Sequence, residues 1–273
     1  MSIWPTLLPM GAMSLNLGDR TVVIAGSFGP LVQNLASALT ENGADVALVV
    51  DDANMAQRFC QNLMDLREVS ERYGRSVAIE NKLADEADAQ EAFSRSAEVF
   101  GTTDIYIDTH LFNLQTPLIN KDNFADAESA FSTAFQRSHV VAGAALNFIR
   151  NRSKSRLLYI VHELDLLNLA TAGSEKPKEF NEYIHRLCQE TAKEQITVNA
   201  LAVGASDEYI MGRYGAQSGS IREGLKKLQE TTPNAKLVDY SEVSSIVSFM
   251  VSPLSTALNG QVVQLDHGLN QTL

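Results

Sequence analysis

Cysteines and basic residues are scarce in this sequence of 273 residues. Its two cysteines, Cys60 and Cys188, are too few for a disulfide framework and do not have the spacing of a metal site. Lysine and arginine number 22 against 33 aspartates and glutamates, and the resulting net charge of −11 opposes binding to nucleic acid or to anionic membranes. We therefore expect a cytoplasmic protein with neither of these partners.

The sequence also lacks a long hydrophobic run. Its start, MSIWPTLLPMGAM, has no basic segment, is interrupted by Pro5 and Pro9, and falls short of the roughly 20 apolar residues that a membrane span needs. We expect residues 1–14 to be an N-terminal extension and residues 15–273 to form one domain. A chain of this length with 45% hydrophobic residues can bury one substantial core.

Short apolar runs alternate along the chain with longer segments of helical periodicity. The predicted strands are 21–25, 45–50, 76–80, 104–108, 156–161, 196–201 and 260–265, and the predicted helices are 30–43, 53–73, 84–100, 126–150, 179–194 and 241–251. Strands separated by helices of this length need right-handed crossovers, so the pattern predicts a doubly wound, Rossmann-type α/β fold: a parallel sheet of about seven strands in a single domain. Residues 203–238 are predicted to be a lid over the carboxyl ends of the strands.

Three segments combine a strand pattern with nearby glycines, namely NLGDRTVVIAG (16–26), ITVNALAVG (196–204) and LNGQVVQLDHG (258–268). They resemble the first βαβ unit, the sixth strand and the closing strand of the classical short-chain dehydrogenase/reductase family. The resemblance implies a nicotinamide cofactor and a tyrosine that acts as general acid/base. It also implies a lysine four residues later, and a serine and an asparagine around the substrate.

The loop AGSFGPLVQN (25–34) departs from the dinucleotide-binding pattern of the family, Thr-Gly-x-x-x-Gly-x-Gly. Only Gly26 is kept, because Pro30 and Val32 stand at the second and third glycine positions. Glycine there lets backbone N–H groups and the helix N-terminus approach a pyrophosphate. Pro30 suits the first position of a helix, although Gly29 lies close enough to rescue the turn. We predict that this loop starts a helix and holds no dinucleotide; retained binding is the alternative.

Other cofactor positions of the family are changed as well. Val50 stands where an acidic residue would hold the ribose, and Asp51 and Asp52 beyond it suit either NAD or a turn. Lys82 replaces an aspartate that contacts adenine. The family's Asn-Asn-Ala-Gly reads Asp-Thr-His-Leu at 108–111, which would add negative charge and remove space beside a cofactor. We expect this chain to bind no cofactor.

The catalytic residues implied by the resemblance are also missing. Counted from the flanking strands, the tyrosine and lysine positions fall on Gly173 and Pro177 or on Glu175 and Glu179. The serine position falls on His162, and no tyrosine lies between residues 160 and 182. We predict no catalytic, cofactor-binding or metal-binding residue in this chain.

His162 and Glu163 form an alternative acid/base pair where the chemistry of the family takes place. An imidazole titrates near neutral pH without help. The segment HELDL is not a zinc motif, because its second histidine would have to stand at Leu166. The simpler interpretation is a polar pair at a strand end, satisfied by local hydrogen bonds. The other histidines, which suggest no ligand cluster, are His110, His139, His185 and His267.

A fold that is kept without catalytic residues points to a role in assembly. In the resembling family, the helices equivalent to 126–150 and 179–194 pair with those of a neighbouring subunit, and the C-terminal strand makes a second contact. Residues at spacings that permit apolar faces on these helices are Phe131, Phe135, Val140, Ala144, Phe148, Phe180, Tyr183, Ile184, Leu187 and Thr191. We expect a heterotetramer with an intact short-chain dehydrogenase subunit, which would bind NAD.

The resemblance therefore implies a non-catalytic, or pseudoenzyme, subunit of a heteromeric NAD-dependent dehydrogenase. Two alternatives stay open. One is a ligand-sensing or scaffolding homo-oligomer without dehydrogenase activity. The other is an active oxidoreductase that uses His162 as an atypical acid/base. An intact relative encoded beside this chain would favour the subunit interpretation.

Overall fold

A parallel sheet of seven strands forms the centre of the protein in the computed structural model, which describes residues 15–112, 114, 123–150, 152, 154–210, 222–223, 226 and 236–268. The strands are β1 (Thr21–Ala25), β2 (Asp45–Val50), β3 (Ser76–Glu80), β4 (Ile105–Asp108), β5 (Arg156–His162), β6 (Thr197–Val203) and β7 (Val262–Leu265). Their order is β3-β2-β1-β4-β5-β6-β7, and each neighbouring pair is parallel. The predicted Rossmann-type fold is confirmed.

Helices cover both faces of this sheet. Those with bounds inside the described residues are α1 (Pro30–Glu41), α2 (Asn54–Val69), α3 (Glu86–Phe100), α4 (Phe124–Ile149), α5 (Glu163–Thr171), α6 (Lys176–Thr191) and α7 (Tyr240–Val251). The buried apolar residues of α1, α2 and α7 belong to one core, and those of α3, α4 and α6 belong to the other. The loops at the carboxyl ends of the strands lie between these two layers and can form a site.

The largest difference from the predicted helices is α5. Sequence patterning predicts no helix between 161 and 179, yet α5 follows β5 directly. Its leucines pack in two directions, because Leu166 and Leu169 join the core under the sheet and Leu164 joins a separate cluster. A short helix that is apolar on more than one side gives no clear period. Next to it, α6 begins at Lys176, with Pro177 in its first turn.

Two predicted segments fall wholly or largely outside the described residues. One is the N-terminal extension, residues 1–14. The other is the lid, residues 203–238, of which only parts are described. Both stay predictions.

The loops after β1 and β4 approach each other at Gly26. Its φ of +144° and the closeness of Thr109 require glycine, since an added Cβ would lie 2.1 Å from Thr109 Oγ1. The hydroxyl and the backbone N–H of Thr109 both donate to the Ala25 carbonyl, at 3.0 and 2.9 Å. In the sheet, β1 and β4 are neighbours, but the chain continues from β1 to β2 on one side and from β4 to β5 on the other. The loops that follow β1 and β4 therefore run in opposite directions, and a crevice opens between them.

Aromatic side chains fill the core between the sheet and helices α4 and α6. The hydroxyls of Tyr159 on β5 and Tyr183 on α6 lie 2.9 Å apart, and both residues are buried. Burial raises the pKa of Tyr183 to about 12 and the pKa of Tyr159 well above its ordinary value, so both hydroxyls stay neutral. Phe135 and Phe180 pack edge-on against the two rings. The tyrosine pair therefore ties β5 to α6.

Replacing Tyr183 with phenylalanine should lower the free energy of unfolding by about 1–3 kcal/mol, because the buried Tyr159 hydroxyl loses its partner. The double variant Tyr159→Phe/Tyr183→Phe removes both hydroxyls and should lose less than the sum of the two single variants. Urea unfolding of the wild type and the three variants measures the difference. Strictly additive losses would mean that the two hydroxyls do not stabilise each other.

Candidate ligand cleft and the family active-site position

A cleft of about 990 Å³ opens at the carboxyl ends of β1, β3 and β4. Ser27, Ala84, His110 and Leu114 line it from the loops, and one face of α4 forms the opposite wall. The lining residues of α4 include Asp126, Ser129, Thr133, Gln136, Arg137 and Val140. The volume suits a small molecule, and open α/β sheets bind their ligands at this kind of position.

Asp108, the last residue of β4, is fully buried behind the His110 wall of the cleft. Its Oδ1 accepts hydrogen bonds from the Ser138 hydroxyl at 2.8 Å and from the His110 backbone N–H at 3.0 Å. Its Oδ2 accepts from the Tyr106 hydroxyl at 2.6 Å and lies 3.1 Å from His110 Nδ1. Each carboxylate oxygen therefore has two partners, as a buried charge requires.

The Asp108 carboxyl is ionised at neutral pH. Burial raises its pKa, but the charge of His110 and the hydrogen bonds from His110, Tyr106 and Ser138 outweigh burial, and the pKa lies below its ordinary value. The carboxylate that was expected to add negative charge beside a cofactor is enclosed in the protein. The carboxylate faces Tyr106 and Ser138 inside the protein, and the residue has no exposed surface.

His110 connects Asp108 to the cleft. Its side chain is 8% exposed and forms part of the cleft wall, and Nδ1 is the ring atom that faces Asp108. Because a carboxylate only accepts hydrogen bonds, Nδ1 carries the proton in this pair, and Nε2 is the nitrogen left for a ligand. A histidine oriented by a carboxylate in this way is suited to exchange a proton or to hold a polar group.

His110 is not predicted to be a site residue, because the histidines are scattered along the chain. Its local signal is the spacing Asp108-x-His110 at the end of a predicted strand, where this type of fold binds ligands. The hydrogen bond from Ser138 to Asp108 has no sequence signal, since Ser138 lies 30 positions beyond Asp108.

Arg137 on α4 anchors the loops that follow β2 and β3. Its Nε donates to the Leu83 carbonyl at 3.2 Å, and its Nη2 donates to the Lys82 carbonyl and lies 3.9 Å from Asp51 Oδ1.

Asp52 accepts two hydrogen bonds from the first residue of α2. These two hydrogen bonds support the interpretation of Asp52 as a turn residue.

The loop after β1 starts helix α1, as predicted. Pro30 is the first helical residue, and Gly29 is an N-cap without a side-chain hydrogen bond. The expected obstruction of the cofactor space by Val32 and Leu111 is not found, because both side chains are almost fully buried in the two apolar cores. Pro30 lies in the loop at the start of α1, and His110 lies in the cleft wall.

The position of the family's active site, at the end of β5, is filled by three aromatic rings. The His162 ring stacks on Phe112 with 3.8 Å between centroids, and it lies 4.6 Å from the Tyr209 ring. All three residues are at most 5% exposed. Glu163 and Asp165 are buried beside them, and the Tyr209 hydroxyl lies 3.4 Å from Asp165 Oδ1. The His162–Glu163 pair thus belongs to the packed interior.

The family's tyrosine and lysine positions lie at the connection between α5 and α6. Gly173 is exposed with φ of +92°, and Glu175 is the N-cap of α6. Pro177 and Glu179 are in the first turn of α6, where Glu179 forms an ion pair of 2.7 Å with Lys176. These residues build a helix start and contain no phenol to act as an acid or base.

Most residues expected to face a partner on α4 and α6 belong to the protein's own core. Those that are buried are Phe131, Ala144, Phe180, Tyr183, Ile184, Leu187 and Thr191. Phe135, Val140 and Phe148 are half-buried. The expected apolar faces therefore pack mainly on the sheet, and the outer surface of α6 carries polar residues such as Glu182, His185 and Gln189.

Within the described residues, no group of three or more His, Cys, Asp or Glu side chains is arranged to hold a metal ion. In the same part of the chain, no helix has the length and apolar character needed to cross a membrane.

The sheet order and the crossover helices define a Rossmann-type α/β protein, and comparison with known proteins identifies the family. A family model described as enoyl-(acyl carrier protein) reductase matches residues 31–270. The chain belongs to the short-chain dehydrogenase/reductase family.

Similar proteins include reductases and solved dehydrogenases. Diacetyl reductase [(S)-acetoin forming] of Staphylococcus epidermidis is 23% identical over 262 residues, which cover 92% of this chain and 98% of that protein. Enoyl-[acyl-carrier-protein] reductase [NADH] of Synechocystis sp. is 24% identical over 214 residues, covering 74% and 78%. The structure of a short chain dehydrogenase from Burkholderia cenocepacia in complex with NADP superimposes with a TM-score of 0.73 at 20% identity, covering 93% and 99%. This last likeness supports the fold.

Asp108→Ala should lower the free energy of unfolding at neutral pH by about 3 kcal/mol, because it leaves the donors of Tyr106, Ser138 and His110 without their acceptor. The wild type should also lose this contribution in acid. Because the folded pKa of Asp108 lies below the unfolded value of about 3.9, the stabilisation is present above that pH and is lost as the pH falls through the folded pKa.

Urea unfolding at neutral pH and at about pH 3 measures both effects. The matched control is Asp65→Ala on the exposed surface of α2, which should change the free energy by no more than about 0.5 kcal/mol. A loss in Asp108→Ala no larger than in this control would contradict the stabilising role of the carboxylate.

Proposed function

We propose that this chain is a non-catalytic subunit of a heteromeric, NAD-dependent short-chain alcohol dehydrogenase. An intact chain of the same family binds NAD and supplies the catalytic tyrosine and lysine, and the present chain completes the oligomer. The observation that carries this proposal is the packing of the Phe112, His162 and Tyr209 rings at the end of β5, where His162 stacks on Phe112 and lies tilted against Tyr209. A packed ring stack at that position cannot also hold a substrate carbonyl beside a nicotinamide.

The relatives support an oxidoreductase partner. Diacetyl reductase and enoyl-[acyl-carrier-protein] reductase are named for reductions, and one solved neighbour is a complex with NADP. The catalytic step is assigned to the partner because the tyrosine position of this chain holds Gly173 or Glu175. Such a pair of chains resembles the hydroxybenzylsuccinyl-CoA dehydrogenase of anaerobic toluene degradation, which joins an intact and a degenerate chain. By that likeness, the proposed substrate class is a hydroxyacyl-CoA.

The proposed partner surface combines α4, α6 and strand β7. β7 is the last strand of the described sheet, and its Val262 and Val263 are half-buried. On α4, Gly143 is exposed, and an added Cβ would meet nothing within 4 Å. A glycine inside a helix costs about 1 kcal/mol relative to alanine, and close approach of another helix is a reason to keep it.

A ligand-sensing or scaffolding homo-oligomer is the second candidate. The open cleft beside His110 favours it, because a chain that only supports a partner has no need of a cleft of about 990 Å³. The third candidate is an oxidoreductase that uses His162 as its acid/base. The stacking of His162 on Phe112 argues against it, since that ring is only 5% exposed as part of the interior.

The isolated chain should transfer no hydride with any alcohol or ketone and should bind NADH and NADPH no better than weakly. Pro30 has no N–H for a pyrophosphate, and His110 stands where the family has alanine. Val32→Gly should not restore binding, because the Val32 side chain is already buried in the core. Calorimetric titration and a nicotinamide absorbance assay measure both properties. A micromolar dissociation constant, or turnover that disappears in His162→Ala, would overturn the assignment.

Gly143→Arg should release the partner, because a long charged side chain on α4 would stand between two closely packed helices. Gly143→Ala is the matched control and should raise the free energy of unfolding by roughly 0.5–1 kcal/mol while leaving the complex intact.

Co-expression of this chain with its neighbouring gene products, followed by light scattering and NAD(H) turnover of the purified complex, gives the measurement. The wild type and Gly143→Ala should yield a hetero-oligomer, most simply a heterotetramer, and Gly143→Arg should yield separate chains. Identical complexes from all three would exclude α4 as the contact, and a monomeric wild type would refute the subunit proposal.

A further inference from the structure

His110 has the tautomer and the surroundings of a general base. The buried Asp108 carboxylate faces its Nδ1 at 3.1 Å, so Nδ1 carries the proton of the neutral ring. The lone pair then lies on Nε2, and within the described residues no hydrogen bond involves that nitrogen. Because His110 forms part of the cleft wall, a hydroxyl in the cleft can give its proton to this ring.

Ser27 supplies a hydroxyl beside this base. In the pairing of β1 with β4, Gly26 follows β1 as Thr109 follows β4. These two residues touch, because a Cβ added to Gly26 would lie 2.1 Å from Thr109 Oγ1. Ser27 and His110 are the next residue of each loop, both line the cleft, and Ser27 is exposed. The strand pairing therefore brings the hydroxyl and the imidazole to neighbouring positions.

The backbone around Ser27 suits a nucleophile. The serine stands on the turn between strand β1 and helix α1, which is where α/β hydrolases carry their nucleophilic serine. Backbone N–H groups of Phe28 and Gly29 follow it, and Gly29 is the N-cap of α1. The first N–H groups of a helix have no partner within the helix, and this end carries partial positive charge. Such donors stabilise the oxyanion that forms when a hydroxyl attacks a carbonyl group.

The wall formed by α4 indicates the kind of acyl group. Ala130, Ala134 and Val140 line the cleft from this helix and give it apolar surface. A short aliphatic acyl group removes its own apolar surface from water by contact with such a wall. The cleft therefore fits an ester of a short aliphatic acid.

We propose that this cleft hydrolyses carboxylic esters of short aliphatic acids, with Ser27 as the nucleophile and His110 as the general base. Asp108 is the positioning residue, because it sets the tautomer and the orientation of His110 without reaching the ester. This activity goes beyond the proposed function, since it needs neither a nicotinamide nor a partner subunit. Its failure would leave the subunit proposal untouched, and the reverse also holds.

The reaction passes through an acyl group on Ser27. Its Oγ attacks the ester carbonyl carbon, its proton passes to His110 Nε2, and the carbonyl oxygen becomes an oxyanion. The oxyanion collapses, the bond from carbon to the alkoxy oxygen breaks, and the leaving alkoxide takes the proton from Nε2 and departs as an alcohol. Water then attacks the acyl carbon and gives a proton to Nε2, the bond to Oγ breaks, and the proton returns to Oγ. An ester and water thus become a carboxylic acid and an alcohol.

Hydrolysis of p-nitrophenyl acetate by the purified full chain, without nicotinamide, tests the proposal. The wild type should release nitrophenolate with saturation kinetics. Ser27→Ala and His110→Gln should each lower kcat/KM by about 100-fold or more, as expected for loss of the nucleophile or of its general base. Asp108→Asn should lower kcat by about tenfold or more and change KM by less than about twofold, because Asp108 acts through His110 and does not touch the ester.

Two control variants separate the site from unspecific reactions of surface groups. His185→Gln removes an exposed imidazole on α6, Ser129→Ala removes another hydroxyl of the cleft, and both should keep the wild-type kcat/KM. A serine-directed fluorophosphonate, located by peptide mass spectrometry, should label Ser27 in the wild type and not in His110→Gln. Circular dichroism checks that each variant folds, and the Ser27 and His110 variants decide the question should Asp108→Asn fail to fold. The proposal is overturned if the wild type hydrolyses the ester no faster than Ser27→Ala, or if His110→Gln keeps the wild-type rate.

Discussion

The buried Asp108 carboxylate is the interaction on which the cleft depends. Asp108 is the last residue of β4. Its carboxylate accepts hydrogen bonds from the Ser138 hydroxyl on α4 and from the backbone N–H and ring Nδ1 of His110. A carboxylate without exposure is stable only while these partners stay in place. One residue thus couples the sheet, the loop after β4 and the wall formed by α4. The next residue, Thr109, packs against Gly26 and holds the loop after β1 against the same edge.

The carboxyl ends of β5 and of β1 and β4 differ in character. At the end of β5, the His162 ring stacks on Phe112 and packs at a tilt against Tyr209, inside the protein. At the ends of β1 and β4, a cleft is open, and an imidazole backed by a carboxylate forms part of its wall. Membership of the short-chain dehydrogenase/reductase family therefore describes the frame of this protein, while the chemistry depends on the particular side chains that line it.

Part of this arrangement is predictable from the sequence, and part is not. β1, β2 and β3 have the predicted bounds because uninterrupted apolar runs between turn residues are typical of strands buried in a parallel sheet. α5 is missed because its leucines pack in two directions. Val32 and Leu111 stand at positions where small residues would suit a cofactor, yet both side chains turn into the core. Whether a side chain faces a cleft or a core depends on the packed path of its loop or helix.

The sequence by itself determines the fold class and the family resemblance, because these depend on periodicity and on residue identity at fixed spacings. The tertiary structure alone decides that Asp108 is buried, that His110 faces the cleft and that His162 is enclosed by rings. Ser138 and Tyr209 take part in these contacts from positions 30 and 47 residues away along the chain from Asp108 and His162. The physical reason is that a hydrogen bond or a ring stack acts over a few ångströms. Only the packed sheet and helices bring such distant residues within that range.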